Sequence, residues 1–177
     1  LTEYEEQFRD KGIDCFGIVA DISETESVRK AFADIFSEIN YIDVLVCNVT
    51  IREPGLPTSW TDKDLLEHYN TDVLGAFRCV KEVLPSQIAQ GIGTILFTGG
   101  GFSIHPMAEY SCVSIDKAAL RSLACTLHQE LKEKGIFVGI VTIMGNVVPE
   151  THYAPEKIAE VYWKMYQERK VWEYIYQ

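Results

Sequence analysis

Short apolar runs alternate with longer amphipathic stretches along this chain. The apolar runs are rich in valine and isoleucine, which is typical of buried strands, and they lie at 15–20, 42–48, 94–98, 136–143 and 172–176. Between them apolar residues recur at helical spacing, which predicts helices over 2–11, 23–39, 62–90, 109–134 and from Pro155 onward. Strands joined by helices form a parallel sheet with helices on both faces. The pattern therefore predicts a doubly wound α/β fold, as one domain over 1–177.

Residues that start or stop helices set several of these boundaries. Ser23 and Glu26 have the spacing of a capping box, so we expect them to close the amino end of their helix. Thr61 is expected to cap the next helix, Gly91 to end it and Asn70 to mark a bend within it. The helix from 62 to 90 is therefore the one we expect to be interrupted.

Composition narrows the classes of partner. The formal net charge of −10 argues against nucleic acid and anionic membranes, because both attract basic surfaces. No apolar run reaches the length of a membrane-spanning helix. The five cysteines form no Cys-x-x-Cys pair and lie within apolar stretches, which predicts reduced thiols, no metal site and a cytoplasmic protein.

Six short segments carry distinctive residue combinations in a fixed order, at 20–23, 46–50, 71–77, 93–100, 114–120 and 141–145. They resemble, in turn, an Asp-Val/Ile step, an Asn-Asn-Ala-Gly step, an Asn-x-x-Gly-x-Phe helix start, a strand ending in two serines, the tail of Tyr-Ser-Ala-Ser-Lys-Ala-Ala and a Pro-Gly step. In this order the six segments resemble the motifs of the short-chain dehydrogenase/reductase family. The resemblance implies a parallel-sheet Rossmann fold that binds NAD or NADP at the carboxyl ends of its strands.

The resemblance also implies which residues contact the cofactor. Asp21 and Ile22 match the step beside the adenine, Asn48 matches the retained asparagine, Lys117 matches the clamp on the nicotinamide ribose, and Gly145 matches the Pro-Gly step. The family's glycine-rich turn belongs to a strand-helix-strand unit that would precede the first residue. We therefore expect a longer biological chain, with about 30–45 further residues. The choice between NAD and NADP stays open.

The family's catalytic residues are mostly replaced. Lys117 fits the catalytic lysine, but the tyrosine position is Val113, the serine position is Gly100 and the asparagine position is Asp72. A valine cannot transfer a proton, and an ionised aspartate accepts hydrogen bonds without donating them. Two functions remain open: an atypical NAD(P)-dependent oxidoreductase acting on a carbonyl or alcohol, and a catalytically silent relative that binds a nucleotide or a partner.

Tyr110 is the candidate that could replace the missing tyrosine. It lies seven residues before Lys117, so on a regular helix beginning at Glu109 it would point about 20° from the lysine and one turn, about 4.5 Å, beyond Val113. Either a catalytic role or simple packing at the helix start fits this position. The four histidines lack partners at a recognisable spacing, and we expect surface or capping roles for them.

The two longest predicted helices have apolar residues on more than one face. One face covers the sheet, and a second apolar face favours a partner helix. In the family these helices pair with those of a symmetry mate, so the resemblance implies a homodimer or homotetramer. The segment between 146 and 154 is short, which predicts a reduced lid over the substrate.

Overall fold

A computed structural model describes residues 2–177. Its sheet has four parallel strands in the order β1-β2-β3-β4, namely Val44–Cys47, Gly93–Gly100, Ile136–Ile143 and Glu173–Tyr176. Helices follow or precede each strand, as parallel connections require. The predicted α/β class with a parallel sheet is confirmed.

The helices run close to the ranges that the sequence predicts. They are α1 Thr2–Asp10, α2 Thr25–Glu38, α3 Asp62–Tyr69, α4 Ala76–Gln90, α5 Ser111–Leu131 and α6 Pro155–Glu168. Short 3-10 turns occupy Pro57–Ser59, Gly101–Ser103 and Lys132–Lys134. None of the helices in residues 2–177 is long and apolar enough to cross a membrane.

The sheet separates two hydrophobic layers because successive strand residues face opposite sides. Ile95 and Phe97 of β2 face α2, α4 and α5, where they pack with buried residues such as Val80 and Leu120. Leu96 faces the other way and packs with residues of α6. Both faces are covered, so the carboxyl ends of the strands are the part of the sheet left open to a ligand.

The predicted strand at 15–20 is wrong, since this segment is irregular. A strand needs a neighbour to complete its hydrogen bonds, and no strand of residues 2–177 pairs with this one. Instead, the segment lies against α1: Cys15 Sγ donates to the Glu5 carbonyl at 3.6 Å and Gly17 N donates to the Glu5 carboxylate at 2.6 Å. Val19 is 87% exposed. Apolar composition alone therefore misled the prediction.

Of the three predicted helix caps, those at Thr61 and Gly91 are confirmed and that at Ser23 is wrong. Thr61 forms a capping box with Asp64, in which each side chain accepts a backbone N–H of the other. Ser23 does not cap its helix, which begins at Thr25; its N–H and Oγ donate to the Asp21 carboxylate at 2.9 and 2.7 Å. The Ser23 side chain is thus held by the Asp21 carboxylate, to which it donates, and it accepts no backbone N–H of the helix.

The helix from 62 to 90 is interrupted where Asn70 predicts a bend. Residues Asn70–Gly75 form a π-helical turn between α3 and α4. Such turns insert an extra residue and are frequent at functional sites. This turn carries Asp72, one of the candidate catalytic residues, and buries it.

Candidate active site

Lys117 reaches from α5 to the carboxyl end of β2. Its side chain is buried, and its Nζ donates to the Thr98 carbonyl at 2.9 Å. The aliphatic stem passes Gly100, where an added Cβ would lie 3.8–4.0 Å from Cγ, Cδ and Cε of the lysine. Burial lowers the pKa of Lys117, while the charges of Asp72 and Asp116 act in the opposite direction. The ammonium group is thus held at the end of the strand where the family binds its ligand.

Asp72 ties the loop after β1 to the π-helical turn. One carboxylate oxygen accepts the Ile51 N–H at 2.8 Å, and the other accepts the Thr50 hydroxyl. Asp72 is the acceptor in both hydrogen bonds. A carboxylate can accept with each of its two oxygens, whereas an asparagine side chain has only one oxygen with which to accept. The structure therefore gives Asp72 a loop-holding role, together with a charge that acts on Lys117.

Neither of the two positions at which the family resemblance implies a catalytic hydroxyl, Val113 and Gly100, carries one. Val113 is buried one turn before Lys117 on α5, and Gly100 lies against the lysine stem. A Cβ at Gly100 would make only ordinary van der Waals contacts. The backbone at Gly100 therefore has room for a Cβ, but the glycine provides no hydroxyl.

Tyr110 does not follow the regular helix on which its predicted direction depends. The helix begins at Ser111, and Tyr110 is its N-cap with φ −131° and ψ 48°. Its ring stacks on Phe102 with centroids 5.5 Å apart, and the Arg52 guanidinium lies 5.4 Å from its centroid. The predicted start at Glu109 is wrong, so the 20° estimate no longer sets the orientation of the tyrosine.

Asp21 and Ile22 form a turn before α2. Asp21 is exposed, and the hydrogen bonds from Ser23 lower the pKa of its carboxyl. Ile22 packs on Gly75, where an added Cβ would come within 2.7 Å of the isoleucine Cδ1. A larger residue at position 75 would collide with Ile22, because the turn before α2 lies directly against the π-helical turn.

Arg78 fixes the same turn, and the sequence reasoning missed it. Its guanidinium donates to the Ile22 carbonyl at 3.1 Å, to Thr25 Oγ1 at 3.0 Å, and to both the carbonyl and side-chain oxygens of Asn70. A fork of N–H donors can hold several oxygens in one geometry. No local motif marks this arginine, because two of its partners, Ile22 and Thr25, lie 56 and 53 residues away in the chain.

Asn48 joins a hydrogen-bonded chain at the carboxyl edge of the sheet. Thr98 Oγ1 donates to Asn48 Oδ1 at 2.7 Å and lies 2.6 Å from the Tyr162 hydroxyl. Burial raises the pKa of Tyr162 to about 12, so this phenol stays protonated. A cavity of about 430 Å³ adjoins the chain, lined by Val46, Asn48, Thr98, Ile143, Val147, Pro155, Ile158, Ala159 and Tyr162.

Gly145 lies beneath an aromatic ring. An added Cβ would be 2.2 Å from Cε2 of Tyr153. That ring also meets His152 and Tyr176 edge-on, with centroid separations of 5.0 and 5.7 Å. Packing against Tyr153 is thus the role that this structure shows for Gly145.

His68 and Asp116 are buried next to the candidate site, and sequence reasoning passed over both. His68 Nδ1 lies 4.0 Å from Asp116 Oδ2, so the predicted surface or capping role is wrong for this histidine. Burial and the charge of Asp72 raise the pKa of Asp116 to about 7, against the effect of Lys117. The spacing of Asp64, His68 and Asp72, four residues apart, was the available signal.

The other three histidines behave differently from His68. His105 and His152 are exposed, and His152 Nε2 lies 3.2 Å from the Gln177 carbonyl. His128 is half-buried, with Nδ1 3.0 Å from the Val138 carbonyl. Within residues 2–177, no group of three or more His, Cys, Asp and Glu side chains is arranged to hold a metal ion.

Comparison with known proteins identifies the family. The family model described as short chain dehydrogenase matches residues 1–157. The chain belongs to the short-chain dehydrogenase family. It is 27% identical over 139 residues to 3-oxoacyl-(acyl-carrier-protein) reductase FabG of Staphylococcus epidermidis, covering 77% of this chain and 56% of the relative. It is 26% identical over 129 residues to the reductase MabA of Mycobacterium avium, covering 71% and 49%. The chain thus spans about half the length of these curated relatives.

Solved structures share the fold of this chain. The apo form of LigD from Sphingobium sp. strain SYK-6 matches with a TM-score of 0.88 and 22% identity, covering 98% of this chain and 73% of that one. A metagenomic short-chain oxidoreductase in complex with NADP matches with a TM-score of 0.86 and 16% identity, covering 99% and 79%. At these identities the likeness concerns the fold.

Proposed function

We propose that this protein is an atypical NAD(P)-dependent oxidoreductase that interconverts a carbonyl compound and an alcohol. The observation that carries the proposal is the buried Lys117, whose ammonium group lies at the carboxyl end of β2 and which the family resemblance assigns to cofactor binding. Burial disfavours the charge of a lysine, and the charges of Asp72 and Asp116 act against that effect, so this site favours a cation at the open end of the sheet.

The residues present fit the nicotinamide end of such a cofactor. Gly100 leaves a recess beside the Lys117 stem that a Cβ would occupy. Asn48 and Thr98 add polar groups at the same edge of the sheet, next to the cavity of about 430 Å³. Lys117 would hold the ribose hydroxyls there, and Asp21 with Ile22 would meet the adenine as the family resemblance implies. The bound nicotinamide would supply or accept a hydride.

The proton that accompanies the hydride needs a different donor from the usual tyrosine. Of the candidate catalytic residues, Lys117 and Asp72 are buried together, whereas Tyr110 stands at the start of α5 against Phe102. Lys117 provides positive charge where an alkoxide forms, and Asp72 holds the loop after β1. Tyr110 stays a proposal for the acid/base role, with a substrate bound higher in the cleft.

Binding measurements test the proposal. Titration of the full-length protein with NADH and NADPH, followed by calorimetry or nicotinamide fluorescence, should show saturable binding of at least one. Lys117→Met should weaken it about tenfold, as expected for loss of one charged hydrogen bond. Lys132→Met, at an exposed lysine just beyond α5, is the control and should bind normally. If Lys117→Met does not fold, Asn48→Ala at an exposed residue tests the same edge.

Two outcomes separate the competing functions. Binding with no turnover on any carbonyl or alcohol would favour the catalytically silent relative. Absence of NADH and NADPH binding by the folded protein would refute the oxidoreductase proposal.

We also propose self-association as a homodimer or homotetramer, in the cytoplasm. On α3, the π-helical turn, α4 and α5, one set of apolar residues is buried in the core and a second set is exposed. The exposed set comprises Leu66, Tyr69, Leu74, Phe77 and Ile115. A second apolar face of this kind favours a partner helix. Sedimentation of a monomer at micromolar concentration would contradict the proposal.

A further inference from the structure

Two buried polar atoms near Lys117 face each other without hydrogen-bond partners. They are His68 Nδ1 and Asp116 Oδ2, which are 4.0 Å apart, and among residues 2–177 neither has another partner. Their side chains are only 5% and 3% exposed. Leaving two such atoms unsatisfied costs free energy, whereas a small side-chain movement would join them by one hydrogen bond. That hydrogen bond requires a proton between them.

The second nitrogen of the imidazole points toward solvent. His68 Nε2 lies 3.6 Å from Glu53 Oε2, and the Glu53 side chain is 60% exposed. His68 also forms part of the wall of a cavity of about 320 Å³, lined by Glu53, Pro54, Ser59, Trp60, Asp64, Glu67 and His68. The Trp60 ring meets the imidazole edge-on at 5.2 Å and restricts its orientation. A histidine with one nitrogen at a solvent-facing carboxylate and the other at a buried one can pass a proton inward.

The inner end of this arrangement lies among the charges of the candidate site. The charge of Asp72, in the π-helical turn, raises the pKa of the Asp116 carboxyl, and the charge of Lys117, the next residue of α5, lowers it. Cys112, one turn earlier on α5, also senses the charge of Asp116. The outer charges facing His68 are those of Glu53 and Asp64. A proton gained or lost at Asp116 therefore changes the field at Lys117.

We propose that His68 and Asp116 share a proton and exchange it with solvent at Glu53, so that the pair controls the protonation of the surroundings of Lys117. They are positioning residues, since they act through the lysine. The catalytic use of the pair rests on the proposed oxidoreductase function. In each carbonyl reduction the carbon takes a hydride from reduced nicotinamide and the oxygen takes a proton, so the protein must regain one proton from solvent. Lys117 would give its proton to the oxygen and regain one from the pair, which takes its own from solvent at Glu53.

Nuclear magnetic resonance of the unliganded protein tests the sharing directly. The carboxyl carbon signal of Asp116 and the Nδ1 signal of His68 should move together as the pH changes. His68→Gln should displace the midpoint of the Asp116 signal by about half a pH unit or more. Glu67→Gln removes a carboxylate from the same cavity outside the route, and it should leave that midpoint unchanged. If His68→Gln does not fold, Asp116→Asn should abolish the movement of the His68 signal over the same pH range.

Kinetics then tests the use of the pair. His68→Gln should lower kcat about tenfold and alter its pH profile, while the KM for the nicotinamide cofactor changes less than twofold, because proton supply and not binding is affected. Independent signals from His68 and Asp116 would overturn the pair, even in an active enzyme. Linked signals in a protein that binds neither NADH nor NADPH would support the pair and refute the oxidoreductase proposal.

Discussion

Replacing Gly145 by alanine should reveal whether this glycine serves packing or ligand approach. The added Cβ would be 2.2–2.6 Å from Cε2, Cζ and Cδ2 of Tyr153. Non-bonded carbons prefer about 3.5–4.0 Å, so the ring would have to retreat by about 1–1.5 Å. His152 and Tyr176 pack against the same ring and resist that movement. Overpacking of this kind costs about 1–3 kcal/mol.

Thermal unfolding measures this cost. In a chain of this size each kcal/mol corresponds to about 2–4 °C, so Gly145→Ala should lower Tm by roughly 2–12 °C. In the Tyr153→Ala background the same substitution should have little effect, because the ring that it strikes is gone. Gly100→Ala is the matched control: its Cβ would meet nothing closer than 3.8 Å and should leave Tm nearly unchanged.

The opposite result would identify a different role for the glycine. If Gly145→Ala kept the wild-type Tm but lost NADH or NADPH binding, Gly145 would be there for close approach of the cofactor, as the family resemblance implies. The packing explanation would then be wrong. A loss of stability without a change in cofactor affinity would support the packing explanation.

Three further substitutions test other parts of the structure. Asp116→Asn should change how stability depends on pH, because the pKa of Asp116 is about 7 in the folded protein against an ordinary value of 3.8. The protonated aspartate contributes stability that is fully present below about pH 4 and is lost as the pH rises through 7. In urea titrations the wild type should therefore lose up to about 4 kcal/mol relative to the variant over this range. Gly135→Ala should lose about 2–3 kcal/mol, because φ is +79° and the new Cβ would lie 2.0 Å from the Gly91 carbonyl oxygen; wild-type unfolding midpoints would contradict this. Glu173→Gln should lower the free energy of unfolding by about 1–2 kcal/mol, because it weakens the hydrogen bonds of 2.7 and 2.6 Å that Arg121 donates. An unchanged unfolding midpoint would show that this pair contributes no net stability.

The periodic elements could be predicted from sequence because each carries its own signal. The strand at 136–143 alternates with helices of clear amphipathic spacing, and the structure has it over the predicted residues. The segment at 15–20 has the same apolar character but lacks a neighbouring strand in residues 2–177. Strand formation depends on a partner distant in the chain, which composition cannot report.

The candidate site was predictable only where a local motif marks it. Lys117 has such a motif, and the structure places it at the end of β2. His68, Asp116 and Arg78 carry no recognised motif, and their contacts join segments far apart in the chain. Tyr110 shows another limit: a two-residue error in the helix start removed the basis for its predicted direction.

Hydride transfer is the most direct test of the proposed oxidoreductase activity. The full-length protein is incubated with NADH or NADPH deuterated at the transferable position and with a panel of ketones, aldehydes and 3-oxoacyl thioesters, and the products are examined by mass spectrometry. We expect an alcohol that gains one deuterium, at a rate that Lys117→Met reduces and Lys132→Met does not. No deuterium transfer to any carbonyl, by a folded protein that binds the cofactor, would contradict it.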